Sequence, residues 1–187
     1  SYNELSQENP INSYGMSKYM GEQLIQNIYS NHYILRTSWV YDDENSNNFP
    51  NKILKKYLEQ KDITIVSDQK GSPTHVDLIS YLTECLLKKY LKLTNDEREK
   101  SFGIYHLAAN GKTSWYNFSK YIIERYCNLK KIKLCNNRIK ECTSQEFKSI
   151  VSRPINSVLD CTKLEKFLSL KIPSWQDYAD KFIQRKI

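Results

Sequence analysis

The chain has 187 residues, of which 40% are hydrophobic, and a formal net charge of +7. This length suits one core with a small additional lobe. No apolar run is long enough to cross a membrane, and the first residues do not form a signal peptide, so we expect a cytoplasmic protein without a membrane partner. The lysines are scattered among acidic residues, which argues against a nucleic-acid partner.

The cysteines and histidines predict no metal site. The five cysteines include no Cys-x-x-Cys pair, which favours reduced thiols over a disulfide framework or a zinc site. His32, His75 and His106 are far apart and lack the spacing of metal ligands. We therefore expect structural roles for all three histidines.

Hydrophobic periodicity predicts alternating helices and strands in the first part of the chain. A helix start at Asn12 or Ser13 follows Pro10. The predicted elements in order are a helix over 13–29, a strand over 33–38, a helix over 49–60 and a strand over 64–66. Segments 42–48 and 68–74 are predicted to be loops.

The second part continues the alternation. The predicted elements are a helix from Asp77, a surface connection over 94–101, a strand over 103–107, a helix capped by Thr113 or Ser114, strands near 132–134 and 158–159, a short helix from Thr162, and a last helix that starts with Ser174 and Asp177. Alternating strands and helices predict an α/β fold with a parallel sheet. No glycine-rich, phosphate-binding turn follows any strand.

Tyr14 and Lys18 lie four residues apart on the first predicted helix, which places both side chains on one face. An ammonium group near a phenol stabilises the phenolate, so such a pair can transfer a proton beside a reacting carbonyl. The spacing alone is weak evidence, because it recurs at Tyr57/Lys61, Tyr116/Lys120 and Tyr126/Lys130. Small residues around Tyr14 and the polar tip of the next strand distinguish the first pair.

Four segments in order resemble the carboxyl-terminal part of the dTDP-4-dehydrorhamnose reductase family, within the extended short-chain dehydrogenase/reductases. The segments are Tyr14–Lys18 with Gly21 and Glu22, Leu35–Tyr41, Asp68–Thr74 and Arg153–Asp160. The resemblance implies the second half of an NAD(P)-binding Rossmann-like fold with a small α/β substrate-binding lobe. Residues 1–66 would complete the Rossmann-like domain, and residues 67–187 would form mainly the lobe, with some segments returning to the domain.

The resemblance also implies a reaction: hydride transfer from NADPH or NADH to the C4 ketone of dTDP-4-dehydro-L-rhamnose, as part of polysaccharide biosynthesis. It further implies a homodimer and Mg²⁺ in the intact enzyme. The glycine-rich amino-terminal half, with a Ser or Thr of the catalytic set, would lie outside this chain. We therefore expect the chain alone to be inactive and to expose apolar surface.

The resemblance assigns roles to particular residues. Tyr14 would donate a proton with the help of Lys18, and both would also bind the cofactor. The other cofactor-binding residues would be Thr37 and Ser38, and the substrate-binding residues would be Trp39, Gln69, Gly71, Thr74 and Arg153. Each has a structural alternative: Trp39 as a core aromatic, Gln69–Gly71 as an ordinary turn, and Arg153 in a surface ion pair. For Arg36, inside an apolar strand, we expect a structural role.

Two other functions stay open. The chain also resembles the non-catalytic regulatory subunit of methionine adenosyltransferase, which is related to these reductases. Alternatively, the enzyme acts as a reductase or epimerase on another nucleotide-linked 4-keto sugar.

Overall fold

The computed structural model describes residues 1–187 and confirms the α/β fold. The helices are α1 (Ser13–Ile28), α2 (Phe49–Leu58), α3 (Val76–Leu91), α4 (Asn95–Ser101), α5 (Trp115–Lys130), α6 (Thr162–Leu168) and α7 (Trp175–Gln184). The strands are β1 (Tyr33–Arg36), β2 (Val40–Tyr41), β3 (Ile63–Val66), β4 (Lys70–Gly71), β5 (Thr74–His75), β6 (Gly103–His106), β7 (Thr113–Ser114) and β8 (Ile139–Cys142). No helix has both the length and the apolar character needed to span a bilayer.

The strands form four pairs, and each pair joins segments far apart in the chain. Parallel pairs join β1 with β6, β2 with β5, and β3 with β8, whereas β4 and β7 are antiparallel. Since β1 and β6 are parallel, Thr37 and Leu107 follow their carboxyl ends at the same edge, where α/β proteins bind ligands. The division at residue 66 stays a prediction.

Helix α5 connects the two parts of the core. Phe118 and Ile122, one turn apart, belong to the larger hydrophobic cluster together with residues of α3 and α7. Ile123 and Cys127 belong to the smaller cluster together with residues of α2, β3 and β8. Two apolar faces on one helix therefore hold the strands and the carboxyl-terminal helices together.

Polar residues fix the helix ends. The predicted start of α1 is confirmed, because the Asn12 side chain accepts a hydrogen bond from the backbone N–H of Gly15 at 2.8 Å. At α7, Ser174 and Asp177 form the predicted capping box. Because these signals are local in sequence, their positions follow from the sequence alone.

Four predicted segments differ from the structure. The predicted strand near 158–159 is only an isolated bridge between Tyr2 and Leu159, and the predicted loop over 68–74 contains β4 and the first residue of β5. Segment 94–101 contains helix α4, which begins with a capping box between Thr94 and Glu97. The predicted strand over 132–134 is absent: α5 ends at Lys130, the capping residue Lys131 adopts the left-handed region (φ 54°), and the chain continues irregularly. The strand that pairs with β3 is β8, which begins at Ile139.

Helix α1 differs from the other long helices because none of its residues is buried. Leu24 and Ile28 are 59% and 66% exposed, although they lie one turn apart on an apolar stripe. Such a stripe is typical of a surface that another polypeptide covers. The expected exposed apolar surface is therefore present on α1.

Candidate active site

Tyr14 and Lys18 face the same side of α1. The Lys18 Nζ lies 5.5 Å from the centroid of the Tyr14 ring, and the Tyr14 side chain is 72% exposed. Two other tyrosines with the same spacing are unsuited to contact a ligand, because Tyr57 and Tyr126 are buried in the core. Burial therefore separates the first pair from these two, which the spacing could not do.

An ion-pair network anchors α1 to the end of β1. The Arg36 Nε donates a hydrogen bond to Glu22 Oε1 at 2.9 Å, and its Nη2 contacts Glu22 and Glu8 at 2.5 Å each. The hydrogen bond from Arg36 lowers the pKa of Glu8, and the bonded carboxylates raise the pKa of Arg36, Glu22 most strongly. Arg36 thus has the structural role expected of it: it joins the end of β1, next to Thr37, to Glu22, which lies one turn beyond Lys18 on α1.

The residues after β1 differ in what they offer a ligand. The Thr37 side chain is exposed. The Ser38 side chain is 7% exposed, and its hydroxyl donates a hydrogen bond to the Ser157 carbonyl at 3.0 Å. Trp39 adopts the left-handed region with φ 47°, and its indole stacks on Trp115 with centroids 3.6 Å apart. Of the three, only Thr37 is fully available to a ligand.

The loop after β3 is more buried than the sequence analysis implied. Thr74 is fully buried, and its hydroxyl donates to the Ser72 carbonyl and accepts from the Ala109 N–H. Gly71 is buried against the indole of Trp39. Neither residue presents a free side-chain surface, and both support the loop. Their substrate contacts stay a prediction.

Gln69 and Arg153 lie in two segments that form hydrogen bonds with distant parts of the chain. Gln69 is 6% exposed, and its amide donates a hydrogen bond to Ser144 Oγ at 3.0 Å. Arg153 is exposed, and the preceding Ser152 carbonyl accepts a hydrogen bond from the Asn12 amide at 2.8 Å. The Arg153 segment is thereby held at the start of α1, close in sequence to Tyr14.

One side-chain cluster resembles a metal site, although two of its atoms, Asp43 Oδ1 and His75 Nε2, are buried without a hydrogen-bond partner. Asp43, His75 and Asp77 place ligand-type atoms within 4.8 Å of one another. Arg185 forms ion pairs with both carboxylates, and the contact with Asp77 is 2.8 Å. The His75 Nδ1 accepts a hydrogen bond from the Asp77 N–H, so a neutral ring carries its proton on Nε2, which faces Asp43. These residues do not suit Mg²⁺, because a cation already balances the carboxylates.

A cleft of about 610 Å³ adjoins the predicted substrate loop. The sequence did not predict this cleft. Its lining includes Lys70, Asn110 and Cys161, from three segments far apart in the chain. Burial raises the pKa of the Cys161 thiol to about 12, so this cysteine is not a nucleophile at neutral pH. No local sequence signal joins these segments, because only the tertiary fold brings them together.

The comparisons with known proteins agree with this arrangement. The family model of the RmlD substrate binding domain matches residues 1–187. The chain belongs to this family. It is 31% identical to a dTDP-4-dehydrorhamnose reductase of Sinorhizobium fredii over 97% of the chain and 59% of that protein. It is also 31% identical to the spore coat polysaccharide biosynthesis protein SpsK of Bacillus subtilis, over 99% of the chain and 58% of that protein.

Solved structures give the same result for this RmlD-family chain. The crystal structure of a dTDP-4-dehydrorhamnose reductase from Bacillus anthracis in complex with NADP superimposes with a TM-score of 0.82 at 29% identity. The match covers 98% of the chain and 59% of that structure. The likeness confirms the predicted partial Rossmann-like fold. The chain therefore spans somewhat more than half the length of these relatives.

Proposed function

We propose that the full-length protein reduces the C4 ketone of dTDP-4-dehydro-L-rhamnose to dTDP-L-rhamnose with NADPH or NADH, and that this chain supplies the proton donor. The observation that carries the proposal is the exposed pair of Tyr14 and Lys18, anchored through Glu22 to the end of β1. The relatives named as reductases of this substrate support the choice of reaction.

The proposed proton transfer uses α1. Tyr14 donates the phenol proton to the oxygen of the reduced ketone, and the Lys18 ammonium stabilises the phenolate that remains. The bound nicotinamide supplies the hydride. Exposed Thr37, and Ser38 beside it, contact the nicotinamide end of the cofactor.

The substrate is held by the neighbouring segments. Trp39 follows the end of β1, and Gln69 lies in the loop after β3. The exposed Arg153 suits a phosphate because its guanidinium forms paired hydrogen bonds with oxygens. Gly71 and Thr74 are more deeply buried and shape the loop that carries Gln69.

The residues of this chain fit only one end of a dinucleotide. Tyr14 and Lys18 are exposed for contact with a nicotinamide ribose, but no glycine-rich turn for the pyrophosphate exists among the 187 residues. We therefore expect NADPH to bind this chain alone weakly. Micromolar affinity measured by calorimetry on the 187-residue polypeptide would contradict that expectation.

Steady-state kinetics on the full-length protein test the proposal. We expect NADPH oxidation in the presence of dTDP-4-dehydro-L-rhamnose, and Tyr14→Phe is expected to lower kcat about 10²- to 10⁴-fold through loss of the proton donor. The matched control is Tyr116→Phe, because Tyr116 has the same spacing to Lys120 but packs against the smaller core cluster. This control should retain wild-type activity.

Three outcomes would contradict the proposal. Equal activity of Tyr14→Phe and wild type would remove Tyr14 from the reaction. Turnover only with a UDP- or GDP-linked 4-keto sugar would change the substrate. No turnover, combined with co-purification with a methionine adenosyltransferase, would favour the regulatory function. The predicted homodimer is tested separately by light scattering.

A further inference from the structure

Three charged residues from distant parts of the chain meet at the carboxyl end of α7. Arg185, the residue that caps this helix, forms ion pairs with Asp43 and with Asp77, and its Nη2 lies 2.8 Å from Asp77 Oδ2. The Lys186 Nζ donates a hydrogen bond to the backbone carbonyl of Asp43. The end of α7 therefore holds Asp43 by both its side chain and its backbone.

The two carboxylates lie where two segments of the candidate site end. Asp43 comes two residues after β2, which directly follows Trp39. Asp77 comes two residues after β5, which follows the loop that carries Gln69, and it lies in the first turn of α3. Since β2 and β5 pair in parallel, both strands reach the cluster at their carboxyl ends. A displacement of either carboxylate therefore moves the end of a segment that leads back to the candidate site.

Arg185 is the main group that neutralises these two carboxylates. Ligand-type atoms of Asp43, His75 and Asp77 lie within 4.8 Å of one another, so two like charges are close together. The His75 Nε2 lies 3.3 Å from Asp43 Oδ1, but neither atom completes a hydrogen bond, and the buried Tyr41 hydroxyl has no partner either. Burial and, secondarily, the nearby carboxylates raise the pKa of Tyr41, so its hydroxyl stays neutral. Without the guanidinium the two carboxylates would repel each other.

We propose that Arg185 is a positioning residue for binding of the nucleotide-sugar. Its guanidinium cancels the repulsion between Asp43 and Asp77 and so holds the ends of β2 and β5 together. This contact fixes the segments of Trp39 and Gln69 relative to each other. A planar guanidinium suits the role because its fork of N–H groups bonds two carboxylates at once. The inference rests on the proposed function, because it takes the nucleotide-sugar as the ligand.

Calorimetry on the full-length protein with dTDP-L-rhamnose tests the role of Arg185. We expect Arg185→Gln to raise the Kd about 3- to 10-fold, because the two segments lose their common partner. Lys181→Gln is the matched control: it removes the same charge from the last turn of α7, but Lys181 is exposed and lies over the Tyr178 ring without an ion pair. This control should bind like wild type. Equal effects of the two variants, or unchanged affinity of Arg185→Gln, would overturn the proposal.

A double-mutant cycle tests whether repulsion between the carboxylates is the cause. Asp43→Asn alone should bind nearly like wild type, since Arg185 still pairs with Asp77. Combined with Arg185→Gln, it removes one of the two like charges, so the double variant should recover most of the lost affinity. A residue that merely stabilises the fold would give additive losses instead. Additive losses would therefore overturn the proposed role.

Circular dichroism separates this role from loss of folding and from failure of the proposed function. The far-UV spectrum of Arg185→Gln should match that of wild type, and its loss would overturn the proposal. The near-UV spectrum reports the packing of aromatic residues such as Trp39 and Trp115, whose ring centroids are 3.6 Å apart. It should change in Arg185→Gln and return in the double variant, and an unchanged spectrum would overturn the proposal. If wild type binds no nucleotide-sugar, the proposed function fails, whereas the restored near-UV spectrum still supports the contact of Arg185 with both segments.

Discussion

Helix α1 and helix α5 have the same length but are held in the protein in opposite ways. Helix α5 buries Phe118, Ile122 and Ile123 between two hydrophobic clusters. Helix α1 buries no residue and is fixed by polar contacts of Glu22 and Asn12. The comparison shows that the catalytic pair proposed here lies on the least embedded long helix, whereas Trp39, on the substrate side, stacks on Trp115 of α5.

The largest expected effect on the free energy of unfolding comes from a substitution in α5. Phe118→Ala removes a side chain that is 1% exposed, so we expect the free energy of unfolding to fall by about 3–5 kcal/mol through lost burial and a new cavity. Leu24→Ala on α1 is the matched control, with an expected change below about 0.5 kcal/mol because Leu24 is 59% exposed. Urea denaturation of this chain measures both, and similar losses would contradict the comparison.

The next effect concerns the anchor of α1. Arg36→Met keeps the apolar stem but leaves the Glu22 carboxylate without its partner, so we expect a loss of about 1–3 kcal/mol. Lys55→Met is the control, since Lys55 is exposed and lies 4.0 Å from Glu59. Little change is expected there. If both variants unfold at the same urea concentration, the ion pairs of Arg36 do not anchor α1.

The helix caps give a smaller effect that separates local from global stability. Ser174→Ala and Asn12→Ala each remove a capping hydrogen bond, at an expected cost of about 1 kcal/mol. Because α7 is part of the core, Ser174→Ala should lower the global unfolding midpoint. Asn12→Ala should instead raise amide hydrogen exchange in the first turns of α1. Faster exchange throughout the chain after Asn12→Ala would argue that α1 unfolds with the core.

The smallest expected effect is a change in the pH dependence of stability. Burial lowers the pKa of His106 below its usual 6.5, so the unfolded chain takes up a proton before the folded chain does. Stability should therefore fall as pH drops below about 6.5, until the lowered pKa of the folded state is reached. His106→Gln should flatten the slope of unfolding free energy against pH in that range. An unchanged slope would exclude His106 as its source.

Local signals in the sequence were sufficient for much of the fold. The caps Asn12 and Ser174 and the apolar positions of α5 specify helices that the structure confirms. The spacing of Tyr14 and Lys18 on one helix face was not sufficient, because it recurs three times; the downstream segments distinguish this pair, and its role stays a prediction. Strand β8 was misplaced because its position is set by pairing with β3 and not by its own composition.

The non-local parts of the site could not be read from one sequence. The stack of Trp39 on Trp115 joins residues whose contact depends on the packing of α5. Burial of Thr74 likewise depends on Ala109, which approaches only once β6 is in place. Periodicity shows that such residues are apolar or lie in a turn, but it does not show which distant residue each one contacts.

The pairing of β3 with β8 has a consequence for biosynthesis. Ile63 pairs with Ile139, about 76 residues later. At a synthesis rate of about 5–20 residues per second, the ribosome needs about 4 to 15 seconds to deliver the partner strand. During this interval an apolar strand with unpaired backbone groups is a site for misassociation between nascent chains. Lys61 and Asp62, directly before β3, are exposed and place charges beside the unpaired strand until β8 has been synthesised.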